Sequence, residues 1–331
     1  MDLRDLFFNQ AGRLRSGWRL LIFAAALYFT IALCFAAVKF ALYLMLGPSA
    51  GTVLDGNWGF LLQALALLIP AILVGWACGR LLEGLPFKAL GWGRHRGWFS
   101  DWLYGSAVGA ASLLLAAAIA TLAGGFRFAL NGPLLFQSVG RTLLVSALIF
   151  VLAAAAEEAM FRGYPLQTMT RAGLAWVAIL ITSLIFSWGH LGNPNVVPGF
   201  TFANTAIAGL WLAVAYLRTR SLWFALGIHW AWNWTMGAVL GLPVSGIERL
   251  TPDPLLRGSD LGPAWLTGGA YGLEGGAACT VALLVSTLFI WRTRLVAPTA
   301  EMKQLTDAEN PQPQRQPPSI FEQQQGEDFP A

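Results

Sequence analysis

The sequence predicts an all-α membrane protein, a polytopic bundle of about eight transmembrane helices. Only 11% of its 331 residues are charged, whereas a soluble domain carries about 25%. The charges fall in short clusters between apolar runs of about 18 or more residues, which are long enough to cross a bilayer. A single bundle in the lipid bilayer therefore explains the chain better than two soluble domains.

Eight apolar runs mark the spans, and a polar segment follows the last of them. From about Pro298 the chain is rich in Gln, Pro and Glu, so it cannot bury enough apolar surface to fold alone. The first run is too long for a signal peptide and counts as a span. We therefore predict a bundle over residues 1–297 and a disordered tail over residues 298–331. The predicted spans are residues 18–38, 58–79, 103–124, 140–163, 173–191, 201–217, 221–241 and 272–291.

The distribution of Lys and Arg predicts the orientation. With eight spans the basic clusters all fall on one side, whereas loops 47–57 and 191–200 contain neither residue. Because cytoplasmic loops are enriched in basic residues, both termini should be cytoplasmic. The net charge of +4 is modest and indicates orientation, not a nucleic-acid partner. The clusters contain Arg4, Arg13, Arg15, Arg80, Lys88, Arg94, Arg96, Arg171, Arg218, Arg220, Arg292, Arg294 and Lys303.

Several reactive side chains are assigned no chemistry. His95 lies in the basic stretch 93–96, and we interpret it as solvated surface. Cys34, Cys78 and Cys279 all fall inside apolar runs. We interpret them as buried small hydrophobic side chains, not as disulfide partners or metal ligands.

The fourth predicted span contains an acidic pair, although an ionisable group inside a span costs at least ~2.5 kcal/mol. Glu158 and Arg162 are four residues apart, so they share one helix face and can pair. Glu157 points about 100° away and has no partner in its own helix. Because adjacent carboxylates repel each other, one of them is suited to proton transfer. An interfacial pair that ends the span and balances Arg162 is the alternative interpretation.

Two later spans carry histidines at helical spacing. His190 ends the fifth span, and Phe186 lies one turn earlier on the same face, where it could wall a site. His229 and Asn233 are four residues apart in the seventh span, so both project to one side. Taken alone, His190 could be structural, and His229 with Asn233 could be a hydrogen-bonded pair between helices.

Together these residues supply what a water-activating site requires: a carboxylate base, imidazoles that orient or ligate, and an amide donor for an oxyanion. The arrangement resembles that of the CAAX-protease and bacteriocin-processing (CPBP) family, which includes the type II CAAX prenyl endopeptidases. The resemblance covers roughly residues 140–240, the expected catalytic core, and neither the N-terminal part nor the tail adds to it. The three matching motifs are Glu157-Glu158-x-x-x-Arg162, Phe186-x-x-x-His190 and His229-x-x-x-Asn233.

The resemblance implies an intramembrane peptidase whose water lies in a cavity within the membrane. It assigns Glu157 as the base that activates water, with assistance from His190. Glu158, paired with its arginine, would orient the site. His229 and Asn233 would bind the developing oxyanion.

The need for a metal stays open at this point. Glu157, His190 and His229 could supply three ligands to Zn²⁺, with water as the fourth. A metal-free glutamate mechanism would use the same residues. The H-E-x-x-H pattern of soluble zinc proteases is absent, which weakens the argument for a metal.

The predicted span limits create a conflict in depth. Glu157 would lie less than halfway in from the cytoplasmic face and His229 about midway, whereas His190 would lie near the far end. The fifth helix must therefore tilt, begin deeper or sit beneath a shortened fourth helix, unless the limits shift by a turn. Gly189 and the break at residues 192–194 permit irregular backbone where it lines a cavity.

Two other functions compete with the peptidase. Buried Glu and His also mark ion pathways, so a proton-coupled transporter or channel is one alternative. Transporters commonly show repeats in both halves, whereas the polar features here cluster in one half. A non-catalytic membrane scaffold is the other. The resemblance implies prenylated C-terminal peptides, bacteriocin precursors or other membrane-delivered peptides as substrates. The low charge and the Ala, Gly and Trp content suggest a prokaryotic plasma membrane.

Overall fold

The computed structural model describes residues 3–9, 12–132 and 136–307 of the chain. Within them the fold is a bundle of helices with one small sheet of strands β1 (Phe126–Leu130) and β2 (Leu256–Asp260). Two π-helical segments, Ala159–Gly163 and Thr235–Val239, extend α6 and α10. The helices are α1 (Leu3–Phe7), α2 (Ser16–Leu46), α3 (Ala50–Asp55), α4 (Asn57–Glu83), α5 (Trp98–Leu122), α6 (Phe136–Glu158), α7 (Tyr164–Arg171), α8 (Ala175–His190), α9 (Phe200–Thr219), α10 (Leu222–Trp234), α11 (Ala264–Thr267), α12 (Ala277–Arg292) and α13 (Ala300–Thr306).

Five helical stretches of the described residues are long and apolar enough to cross a membrane. The apolar helices α8 and α12 are shorter, and α10 with its π-helical segment occupies the place of the seventh predicted span. The predicted helical membrane bundle is thus confirmed, while the number of eight spans stays a prediction. The five stretches are Ser16–Asp55, Asn57–Glu83, Trp98–Leu122, Gln137–Arg171 and Phe200–Thr219.

Two predicted spans end eight residues earlier than the helix or helical stretch that contains them. The first was placed at 18–38, but α2 continues past Lys39, because a lysine can extend its long side chain toward the interface without ending a helix. The fourth was placed at 140–163, but the helical stretch runs on to Arg171. Pro165 permits this continuation, since in the first turn of α7 its missing N–H breaks no helical hydrogen bond.

The interpretation of His95 as solvated surface was wrong. The side chain is buried, with Nε2 3.0 Å from Oδ2 of Asp101 and Nδ1 3.2 Å from the backbone oxygen of Gly93. The flanking residues Arg94 and Arg96 are exposed. The charged neighbours therefore face solvent while the imidazole turns inward to the first turn of α5, where Asp101 lies.

The predicted disordered tail begins with an ordered stretch. Residues 300–306 form α13, and Met302 is buried. The Thr299 hydroxyl caps this helix by accepting a hydrogen bond from the backbone N–H of Met302. This cap and the burial of one apolar side chain explain why the structure differs here from the predicted disorder. Residues 308–331 lie outside the described residues, and their disorder stays a prediction.

The three cysteines are free thiols. Cys78 and Cys279 are buried within apolar clusters, as the sequence predicted. Cys34 is only partly buried.

The small sheet joins the loop after α5 to the segment that follows α10. Its strands pair antiparallel, with Phe126 opposite Asp260 and Leu130 opposite Leu256. The sequence did not predict this sheet, because each strand is only five residues long and its partner is distant in the chain.

A buried ion cluster joins α2, α4 and α7. Oε2 of Glu83, at the end of α4, lies 2.5 Å from Nη1 of Arg19. The same carboxylate accepts two hydrogen bonds of 2.9 Å from Arg171. All three side chains are buried. Two arginines thus share one carboxylate, which fixes the end of the long α6–α7 stretch against α2 and α4.

The helices α5 and α10 pack with their backbones close together at glycines. A Cβ added to Gly105 would lie 2.2 Å from the backbone oxygen of Phe224, and one added to Gly109 would lie 2.2 Å from that of Ile228. Small residues four apart allow membrane helices to approach in this way. Because His229 follows Ile228 directly, this contact positions the part of α10 that carries the candidate site.

We expect Gly109→Ala to lower the stability of the bundle by about 1–3 kcal/mol, because the added methyl group must push α10 away from α5. The measurement is the free energy of unfolding in detergent. Gly140→Ala in α6 is the matched control, since a Cβ there meets no atom within 4 Å. Equal stabilities of the two variants would contradict the proposed close contact.

Candidate active site

Glu158 is the last residue of α6 and is fully buried. Its Oε1 lies 3.0 Å from Nη1 of Arg162, which is also buried. Nη2 of Arg162 donates a second hydrogen bond of 3.1 Å to the backbone oxygen of Gly209 on α9. The Glu158–Arg162 contact expected from their spacing is therefore present, and it connects the end of α6 to α9.

His229 on α10 bridges the two glutamates. Its Nδ1 lies 2.8 Å from Oε1 of Glu158, and its Nε2 lies 3.4 Å from Oε2 of Glu157. Because an ionised carboxylate can only accept hydrogen bonds, Nδ1–H of His229 donates one to Glu158. This hydrogen bond fixes the orientation of the imidazole ring. The Glu157 side chain is 28% exposed, compared with 0% for Glu158. Glu157 is thus the acid that solvent or a substrate can reach.

Both helices that carry these residues continue as π-helical segments. Ala159–Gly163 starts directly after Glu158, and Thr235–Val239 starts two residues after Asn233. π-Helical turns are rare in proteins, and those that do occur are often found at functional sites. Arg162 lies within the first segment, from which its guanidinium reaches both Glu158 and α9. Neither segment was predicted from the sequence.

His190 ends α8, and its ring packs on that of Phe186 with the centroids 4.5 Å apart. Its Nδ1 lies 2.7 Å from the backbone oxygen of Phe186. A carbonyl oxygen can only accept a hydrogen bond, so Nδ1 carries the hydrogen. In the neutral imidazole the other nitrogen, Nε2, is then a hydrogen-bond acceptor. Nε2 can therefore accept a hydrogen bond from a water or a substrate group.

The Phe186 ring also lies near His229 and Arg162. Its ring centroid lies 6.2 Å from that of His229, and the guanidinium carbon of Arg162 lies 4.6 Å from it. The ring is almost completely buried. Phe186 thus packs against His190, His229 and Arg162, and it lies in the cavity wall as its spacing to His190 predicted.

These side chains surround a cavity of about 350 Å³. Glu158 and Arg162 lie behind the cavity wall, where they are buried. The structure therefore brings together the polar residues of three predicted spans, while their chemical roles stay predictions. The predicted site residues that line the cavity are Glu157, Phe186, His190, His229 and Asn233.

The helix lengths remove the conflict in depth. Because the fourth stretch runs over Gln137–Arg171, Glu157 lies near its middle. The fourth helix is thus lengthened, not shortened. The helix α8 has 16 residues, a length of about 24 Å, which is less than the ~30 Å of the hydrocarbon core. His190 at its end lines the same cavity as Glu157 and His229, so the three side chains lie together.

The cavity contains a further acid that the sequence analysis missed. Glu274 lines it and lies in the turn Leu273–Gly275 just before α12. It is the only charged residue within the eighth predicted span, 272–291. The cost of a charge in lipid was the signal that could have identified it. No helical spacing links it to a second polar residue, so motif patterns did not indicate it.

The donor groups do not form a ready metal site. Within residues 3–9, 12–132 and 136–307, no three His, Cys, Asp or Glu side chains are placed to hold one metal ion. Of the three potential zinc ligands, His229 directs both nitrogens at glutamates, and Nδ1 of His190 bonds to a backbone oxygen. The arrangement therefore does not fit a site formed by Glu157, His190 and His229, and no catalytic step is assigned to zinc.

Apolar helices around an internal cavity, with carboxylates and imidazoles in its wall, define an integral membrane protein with an acid–base site inside the bundle. Residues 139–235 match the model of the type II CAAX prenyl endopeptidase Rce1-like family. This stretch contains all the motif residues from Glu157 to Asn233. The matched stretch is thus the part of the chain whose motifs resemble that family, and the match confirms the resemblance.

The match to a curated relative covers only part of the chain. A protein of Escherichia coli described as an uncharacterized 24.3 kDa protein is 32% identical over 107 residues. The match covers 32% of this chain and 48% of that protein, so the chain spans about half the length of the curated relative it matches. No solved structure matches the chain.

We expect Arg162→Met to destabilise the protein by about 3–5 kcal/mol, because it leaves the Glu158 carboxylate buried without its cation. Combining it with Glu158→Gln should recover part of this loss, because the unpaired charge is then gone. The four free energies of unfolding in detergent form a double-mutant cycle. Strictly additive losses would show that the two side chains do not act as a pair.

Proposed function

We propose that the chain is an intramembrane endopeptidase that hydrolyses peptide bonds through a water activated by Glu157 and His190. One observation carries the proposal: the accessible Glu157 lies beside His229 in a cavity that His190 and Asn233 also line. These side chains supply a base, a hydrogen-bond acceptor and oxyanion donors. The family match of residues 139–235 supports the same activity.

In the proposed reaction, Glu157 takes a proton from water while the water oxygen attacks the carbonyl carbon of the scissile bond. Nε2 of His190 accepts a hydrogen bond from this water and orients it. When the C–N bond breaks, the protonated Glu157 returns its proton to the leaving amine. The products are a carboxylic acid and an amine, and water is the only co-reactant.

His229 and Asn233 are proposed to stabilise the oxyanion of the tetrahedral intermediate. They are four residues apart on one helical stretch, and both line the cavity. Within the described part of the chain the Asn233 amide has no hydrogen-bond partner, so it can donate to a ligand. Glu158 acts as a positioning residue, because it holds Nδ1 of His229. Arg162 balances its charge.

The proposed substrates are peptides or proteins delivered from the bilayer. The family match favours C-terminal peptides that carry a lipid, of the CAAX type, and precursor peptides are the second class. The cavity of about 350 Å³ has the size of an ordinary ligand site. We also propose a location in a prokaryotic plasma membrane with both termini cytoplasmic, which the distribution of Lys and Arg supports.

We expect Glu157→Gln to reduce peptide cleavage by about 10²–10⁴-fold, because the variant keeps the shape of the side chain but lacks a base. The measurement is the cleavage rate of a membrane-associated peptide library by the purified protein. Glu301→Gln is the matched control, since Glu301 is exposed on α13 and is not among the residues that line the cavity. Cleavage that Glu157→Gln leaves unchanged would exclude Glu157 as the base, whereas a native protein that cleaves no peptide would favour the transporter or the scaffold.

We expect the proposed activity to be independent of a bound metal, because the site lacks a three-ligand cluster. Treatment of the active protein with EDTA or 1,10-phenanthroline, followed by removal of the chelator, should leave the cleavage rate unchanged. Metal analysis of the same preparation is the second readout. A loss of activity that added Zn²⁺ restores would instead support a zinc site at Glu157, His190 and His229.

A further inference from the structure

The cavity has a second carboxylate that the proposed reaction does not use. Oε1 of Glu274 accepts a hydrogen bond of 3.1 Å from the indole nitrogen of Trp232. Oε2 accepts two from Ser245, one of 2.7 Å from its backbone N–H and one of 2.9 Å from its hydroxyl. Three donors from two other segments therefore fix the direction in which this carboxylate points.

The backbone that carries Glu274 is fixed as well. The side-chain amide of Asn204 on α9 donates to the backbone oxygens of Glu274 and Gly276, at 2.8 and 2.9 Å. The Thr280 hydroxyl donates to the Asn204 side-chain oxygen at 2.6 Å. Asn204 is buried, and both the nitrogen and the oxygen of its amide group form hydrogen bonds. These hydrogen bonds hold the turn before α12 in place beside the cavity.

The charge of Glu274 is not balanced by a neighbour. Trp232 and Ser245 are neutral donors, and no Lys, Arg or His of the described residues forms an ion pair with this carboxylate. A carboxylate has about four acceptor sites, of which three are used, so Oε1 retains one. An ionised group inside a membrane bundle normally has a task. A carboxylate without a cationic partner in the cavity wall would favour the binding of a cation.

Glu274 is linked to the candidate site through its hydrogen bond to Trp232 and through the cavity that both line. Its partner Trp232 directly precedes Asn233 and lies three residues after His229 on α10. A peptide in extended conformation advances about 3.3–3.6 Å per residue. A substrate whose scissile carbonyl is held by α10 therefore reaches Glu274 within a few residues of the cleaved bond.

We propose that Glu274 is a specificity-determining residue that binds the positively charged side chain of a Lys or Arg near the scissile bond of the peptide substrate. This inference rests on the proposed peptidase activity. The ammonium or guanidinium group donates to the free acceptor site of Oε1 and neutralises the carboxylate. Substrates with a neutral or acidic residue at that position leave the carboxylate uncompensated and are cleaved more slowly.

The test is a positional scan of one cleavable peptide with Lys, Gln or Glu at each position that flanks the scissile bond. The readout is the ratio of kcat/KM for the Lys peptide to that for the Gln peptide. We expect the native protein to prefer Lys roughly ten- to hundredfold at one position, in line with a hydrogen bond to a charged group. We expect Glu274→Gln to abolish this ratio.

Two further variants separate charge from structure. Glu274→Asp keeps the charge, and Ser245→Ala removes one neutral donor, so both should retain the preference for Lys. A native protein that cleaves Lys and Gln peptides equally at every position overturns the inference and leaves the peptidase intact, whether or not Glu274→Gln folds. Loss of the ratio in Ser245→Ala to the same extent as in Glu274→Gln also overturns it, because the effect is then structural. A native protein that cleaves no peptide refutes the proposed function itself.

Discussion

The candidate site depends on one buried carboxylate, that of Glu158. A single oxygen, Oε1, contacts both the guanidinium of Arg162 and Nδ1 of His229. An isolated charge at this depth would be very costly, so the arginine has to accompany it. Because Arg162 also bonds to α9, three helical stretches meet at this carboxylate. The imidazole that faces Glu157 is thereby held in one orientation.

The apolar packing of the bundle makes that meeting possible. The helix α10 lies against α5 at glycines whose hydrogen atoms leave room for the backbone of its neighbour. On the other side, Glu83 fixes the end of the α6–α7 stretch through Arg171. Between these two constraints the acids of one stretch and the histidine of another are placed within hydrogen-bonding distance. The cavity beside them is a consequence of this packing, with Glu157 as its accessible acid.

Local spacing explains which parts of the site were predictable. Glu158 with Arg162, Phe186 with His190, and His229 with Asn233 are each four residues apart, so helical geometry alone places each pair on one face. That the three pairs meet was implied by family resemblance and not by spacing, because spacing carries no information about contacts between helices.

The missed features depend on tertiary contacts. The orientation of the Glu274 carboxylate depends on hydrogen bonds from Trp232 and Ser245, which are distant in sequence. The extension of the fourth helix to Arg171 depends on the carboxylate of Glu83, which balances that arginine inside the bundle. The His95 side chain turns inward because its imidazole contacts the carboxylate of Asp101 in the next helix. In each case a charged group is stabilised by a partner that no local pattern reveals.

If the acids and imidazoles share a water-filled cavity within the bundle, a thiol in the wall of that cavity is accessible from solution, which single cysteines can measure. In a variant with Cys34, Cys78 and Cys279 replaced by alanine, Ala153→Cys places a thiol in the cavity wall. Leu144→Cys lies nine residues earlier on the opposite, exposed face of α6. We expect a charged, water-soluble thiol reagent to label position 153 in membranes much faster than position 144. Equal labelling, or protection of position 153 alone, would contradict it.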